Sequence, residues 1–91
     1  TTGGPKEVYQ SGKGHHTIIE LITPIIQTAS ICGMIKIPPF VIHGTHAIEK
    51  AEILDHRNDY FNILNIMAKG EFNMKRMVQY DYLNEYLKKV K

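Results

Sequence analysis

Histidine is the residue type of this chain with the widest chemical range near neutral pH, and there are five: His15, His16, His43, His46 and His56. An imidazole can give and recover a proton within one cycle, or bind a metal in its neutral form. A zinc site needs about three or four ligands at recognisable spacing. His43-Gly44-Thr45-His46 has no matching cysteine or second histidine pair, so no metal is predicted. On its own residues His15 reads as an exposed loop histidine and His16 as a neighbour without a role. His43 and His46 follow a short apolar segment, which leaves two readings open, a substrate pocket or an ordinary loop. Cys32 stands alone, with no CxxC and no cationic neighbour, and is expected to be a small buried hydrophobe.

These residues need elements to position them. Between residues 3 and 16, Gly3, Gly4, Pro5, Ser11, Gly12 and Gly14 mark a long loop, a length usually tied to function. From Thr17 to Cys32 the apolar residues Ile18, Ile22, Ile25, Ala29 and Cys32 recur at spacings of 4, 3, 4 and 3, which predicts an amphipathic helix closed by Gly33. Pro24 lacks an amide donor, so the helix should either kink there or begin near it. Ile35 to Ile42 is apolar and β-branched and reads as a strand, placed at a sheet edge because Pro38 and Pro39 have no ladder donors. A second helix is predicted over 48–69, with Ile53, Tyr60, Leu64 and Met67 inward, Asp55, Arg57 and Asp59 outward, and Gly70 as its stop. Met77, Tyr80, Leu83, Leu87 and Val90 form one stripe of a third helical segment, whose Lys88, Lys89 and Lys91 suit the negative end of the helix dipole as a solvated terminus.

One edge strand cannot close a sheet, since its donors and acceptors need partners. A doubly wound parallel α/β sheet would supply them, with Thr1-Thr2 at the end of the penultimate strand and a ligand at the carboxyl ends of the strands. The opening Thr1-Thr2-Gly3-Gly4 has no initiator Met and no signal-peptide pattern, so the chain is expected to be the C-terminal part of a longer protein. With 91 residues and a net charge of +2, a multidomain enzyme and a nucleic-acid-coating protein are excluded. Glu20, Thr23, Gln27 and Ser30 interrupt the most apolar stretch, well short of the roughly 20 residues that span a bilayer. A reducing cytoplasm is the expected setting.

Thr1-Thr2-Gly3-Gly4, Tyr9, His15, Pro24 with Cys32-Gly33, and Pro38-Pro39-Phe40 followed by His43-Gly44-Thr45 together resemble the C-terminal portion of the flavodoxin-like NAD(P)H:quinone oxidoreductases. This is the DT-diaphorase type, whose bacterial relatives include general stress proteins and ancillary subunits of potassium-efflux systems. The order and spacing match over residues 1 to about 68. The resemblance implies a C-terminal portion of a flavodoxin-like domain over 1–70 and an additional C-terminal helix, for subunit contact, over 71–91. It implies FAD or FMN, with NAD(P)H as co-substrate, hydride passing through the flavin to a quinone. Thr2, Gly3, Gly4 and Tyr9 match the flavin-binding positions, and Tyr9 and His15 match the proton relay. Gly would let the backbone approach the ring, and donors there would stabilise charge growing on its pyrimidine edge. A homodimer is implied, with an ancillary subunit of a potassium-efflux channel as the alternative function. Phe40, Ile31 and Met34 could line a quinone pocket, although such flanking apolar residues are more often core. The first strand with its phosphate loop lies outside residues 1–91, so this chain alone is expected to bind flavin poorly.

Overall fold

The computed structural model describes residues 1–10 and 16–90; residues 11–15, Lys91 and the side chain of Val90 lie outside the described residues. Thr17 opens helix α1 (Ile18–Ile31) with a reciprocal cap. Its Oγ1 accepts from the Glu20 amide at 3.2 Å, and Glu20 Oε1 accepts from the Thr17 amide at 3.2 Å. Glu20 also meets His16 at 3.3 Å. The Thr17 amide, and then His16, hold the Glu20 carboxyl below its ordinary range. This cap starts the helix well ahead of Pro24, so the alternative of a start near Pro24 is not what forms. At the other end Gly33 takes φ 76°, its amide donating to Ser30 and that of Met34 to Ala29. That pair of bonds satisfies two carbonyls the helix would otherwise leave open.

Helix α2 (Lys50–Ala68) falls within the predicted span and closes in the same way, with Gly70 at φ 67° and the amides of Gly70 and Glu71 donating to Met67 and Ile66. The residues after it form two helices where one amphipathic segment was predicted: α3 (Met74–Met77), capped by Asn73, and α4 (Leu83–Val90). The break has a cause remote in sequence. The Leu83 amide, which a continuous helix would direct to the preceding turn, donates instead to the Pro39 carbonyl at 2.9 Å.

The core is Ile63, Met77, Leu83, Tyr86 and Leu87, with Ile37, Phe40, Ile66, Phe72, Met74 and Tyr80 packed against it. The segment after Gly70 packs on α2 of its own chain. On α2 the less exposed residues are His56, Asp59, Ile63 and Ile66, while the predicted inward residues Ile53, Tyr60, Leu64 and Met67 are exposed. Apolar residues surround this helix, so their period did not select a face; packing against α4 did. On α1 only Ile18 of the predicted stripe is buried, and Ile25 is 70% exposed. Cys32 is exposed too, which corrects its expected burial.

Among the described residues none forms a strand, and the expected edge strand Ile35–Ile42 is irregular chain. A parallel strand needs evenly spaced bonds from a neighbour. Here the N-terminal residues supply one to this segment, from the Thr2 amide to the Ile42 carbonyl at 2.8 Å, and Pro38 and Pro39 have no amide to offer. The Asn84 side chain serves Val41 instead: its Oδ1 accepts from the Val41 amide at 3.0 Å, and its Nδ2 donates to the Val41 carbonyl at 2.8 Å. The parallel α/β sheet expected from the sequence is therefore not formed among the described residues.

Candidate functional site

The sequence motifs at the N-terminus and at residues 43–46 meet. The Thr2 carbonyl accepts from the Thr45 amide at 3.1 Å and from Thr45 Oγ1 at 3.0 Å, and the Gly4 carbonyl accepts from the Gly44 amide at 2.9 Å. Thr2 Oγ1 donates to the Gly4 carbonyl at 3.1 Å and lies 2.9 Å from His43 Nδ1. Gly44 turns the second loop at φ 67°, a conformation open to glycine at little cost.

Tyr9 ends the 3₁₀ turn Lys6–Tyr9 and stacks on His43, ring centroids 5.4 Å apart and planes at 30°. Tyr82 meets the same imidazole nearly edge-on at 5.9 Å, and Lys6 Nζ stands 5.7 Å from the Tyr82 ring centroid. Burial, and then the positive charge of Lys6, hold the His43 imidazolium below the ordinary histidine range, with Glu7 opposing. Burial, and then Asp81, raise the Tyr82 phenol. His43 Nε2 is buried and has no hydrogen-bond partner among the described residues.

Thr2, Gly3, Gly4 and Tyr9 are thus brought together; His15 lies outside the described residues. His43, which the sequence left between pocket and loop, stands at the centre of the cluster. Tyr82 and Lys6 were missed, since a tyrosine on an amphipathic segment and a loop lysine carry no distinguishing pattern. His46 lies against Gly3 so closely that a Cβ there would collide with its ring. Phe40, Ile31 and Met34 do not gather. Phe40 faces Tyr60 in an apolar cleft of about 390 Å³ that also includes Ile42, Ile53 and His56. Met34 lies past the end of α1, shares a shallow cleft with Cys32 and is 66% exposed, and Ile31 is 77% exposed, so neither is core. Among the described residues no three of His, Cys, Asp and Glu gather as metal ligands, and no helix is long and apolar enough to cross a membrane.

A family model described as flavodoxin-like fold matches residues 1–64, more than half of the chain. The chain belongs to the flavodoxin-like fold family. Over 57 residues this flavodoxin-like chain is 37% identical to General stress protein 14 of Bacillus subtilis (strain 168), a match covering 62% of this chain and 32% of that protein. The chain thus spans about a third of the length of the relative it matches, 32%. No solved structure matches it. The family match takes in Thr2, Gly3, Gly4, Tyr9 and the 43–46 loop, and ends before Tyr82 and Asn84.

Members of flavodoxin-like families typically bind flavin, and the turn can be tested for that group. Among the described residues the amides of Gly3 and Gly4 donate to no acceptor. Tyr9 Oη lies 3.6 Å from where a Cβ on Gly4 would stand. Two open amides beside a phenol fit the acceptor-rich edge of a planar ring. The His46 ring covers the Cα side of Gly3.

Proposed function

We propose that this chain carries the flavin-edge segment of a flavin-dependent NAD(P)H:quinone oxidoreductase. The observation that supports it most is the Thr2–Gly4 turn, with two open amides beside Tyr9, in a stretch the flavodoxin-like family match covers. Bound flavin, FAD or FMN, would supply the redox chemistry, taking hydride from NAD(P)H and passing it to a quinone. The chain's own part is electrostatic and positional. The Gly3 and Gly4 amides hold the ring edge where negative charge grows on reduction, and Tyr9 orders the proton traffic there. His15 is assigned the relay by resemblance alone. A homodimer in the cytoplasm belongs to the same proposal.

The test uses the natural gene product that contains this chain, supplied separately with FMN and FAD. NAD(P)H oxidation is followed with and without a soluble quinone. Quinone-dependent turnover with bound flavin is the expected result. Bound flavin without turnover would shift the weight to an ancillary role on a potassium-efflux channel. No binding of either flavin would overturn the reading.

A further inference from the structure

The Thr2 hydroxyl is within bonding distance of two groups, the Gly4 carbonyl at 3.1 Å and His43 Nδ1 at 2.9 Å. A hydroxyl has one proton to give, and a carbonyl can only accept. Both contacts are hydrogen bonds only if Thr2 donates to Gly4 and receives from His43, which requires the proton on Nδ1. The other tautomer would turn the Thr2 proton to Nδ1, surrender the Gly4 contact and place an N–H at Nε2. That nitrogen is buried and meets no partner among the described residues. Orphaned buried donors are rarer than underused acceptors, and stranding one is unfavourable. Imidazolium would strand the same N–H, in accord with the direction in which burial moves this ring. Tyr9 on one side and Tyr82 on another fix the imidazole plane.

We propose that His43 is a positioning residue of the turn, held as the neutral Nδ1–H tautomer, which donates to Thr2 and so fixes the Gly3 and Gly4 amides at the angle they present. The assignment concerns the chain's own turn, whichever ligand those amides serve. The Nε2 lone pair remains as an unfilled acceptor.

The variant-free test is two-bond proton–nitrogen correlation on histidine-labelled chain at neutral pH. His43 should show a protonated Nδ1 and an unprotonated Nε2; the reverse pattern, or shifts averaged between tautomers, would overturn the proposal. A second test separates hydrogen bonding from ring stacking. An asparagine amide reaches the place of Nδ1–H and a glutamine amide that of Nε2. His43→Asn should keep the exchange protection of the Gly44 and Thr45 amides, which bond the turn. His43→Gln and Thr2→Val should each lose about tenfold, the scale of one hydrogen bond. Equal loss in the asparagine and glutamine variants would mean that the ring face alone holds the turn, and would refute the donor role.

Discussion

Asn84 offers the sharpest perturbation, because one amide group serves both backbone groups of Val41, at 3.0 and 2.8 Å, across 43 residues. Asn84→Ala removes both bonds, each worth about 0.5–1.5 kcal/mol net, and strands the groups of a residue only 8% exposed, which places the loss near 2–3 kcal/mol. At roughly 4–8 °C per kcal/mol for a domain of this size, the melting temperature should fall by about 10–20 °C. Asn84→Asp refines the test. An ionised carboxylate can still accept from the Val41 amide but faces the Val41 carbonyl lone pairs, whereas a protonated one can accept and donate as Asn does. Its folded pKa therefore lies above the unfolded value of about 3.9. Below the unfolded value both states hold the proton and stability is retained. As pH rises from there through the folded pKa, the unfolded chain ionises first and stability is lost. Urea denaturation of parent and Asn84→Asp should show a gap at pH 7 that narrows toward pH 4. A gap independent of pH, or an Asn84→Ala variant as stable as the parent, would refute the bidentate account.

Other perturbations test separate parts of the structure. Thr17→Ala breaks the reciprocal cap of α1 and should cost about 1 kcal/mol by chemical denaturation; no change would mean that the cap is not formed in solution. Pro24 is exposed inside α1, and Pro24→Ala restores an amide donor there, so the variant should be more stable by up to about 3 kcal/mol, and a loss would show that the ring makes an unseen contact. The Cβ of Gly3→Ala collides with the ring of His46, an exposed side chain that can swing away; the substitution should shift His46 resonances strongly, and His46→Ala should abolish its stability cost. Burial, followed by Lys6, places the folded pKa of His43 below its unfolded value, so its contribution is complete above about pH 6.5 and is lost as pH falls through the folded pKa. His43→Asn should flatten that limb of the stability curve, and curves of equal slope would exclude His43 as the group responsible.

What the sequence disclosed, and what it did not, divides by distance along the chain. The ends of α1 and α2 were legible because Gly33 and Gly70 act on residues at most a few positions away, whereas the start of α1 stayed open at Pro24 because the Thr17–Glu20 cap was not read from the pattern. The expected strand failed for the opposite reason, since β-branched composition cannot say whether a neighbour will complete a ladder. The third helix broke at Leu83 because of a carbonyl at Pro39, a contact no helical period contains. In the candidate site, Gly3, Gly4 and Tyr9 were singled out by resemblance, but His43 gained meaning only from Thr2, 41 positions away.

Those long-range bonds are linked. The Ile37–His46 stretch is held on one side by Thr2 and Gly4 and on the other by Leu83 and Asn84. The residues that withhold a strand from this chain therefore also place His43 against Thr2. Since the family match ends at residue 64, the α4 contacts are support from outside the matched stretch. If that support is mechanical, Asn84→Ala should lower amide protection at Gly44 and Thr45 as well as at Val41, although Asn84 bonds neither of the first two. Loss confined to Val41 would show that the turn and the C-terminal helix are energetically independent, and that the site rests on Thr2, Gly4 and the 43–46 loop alone.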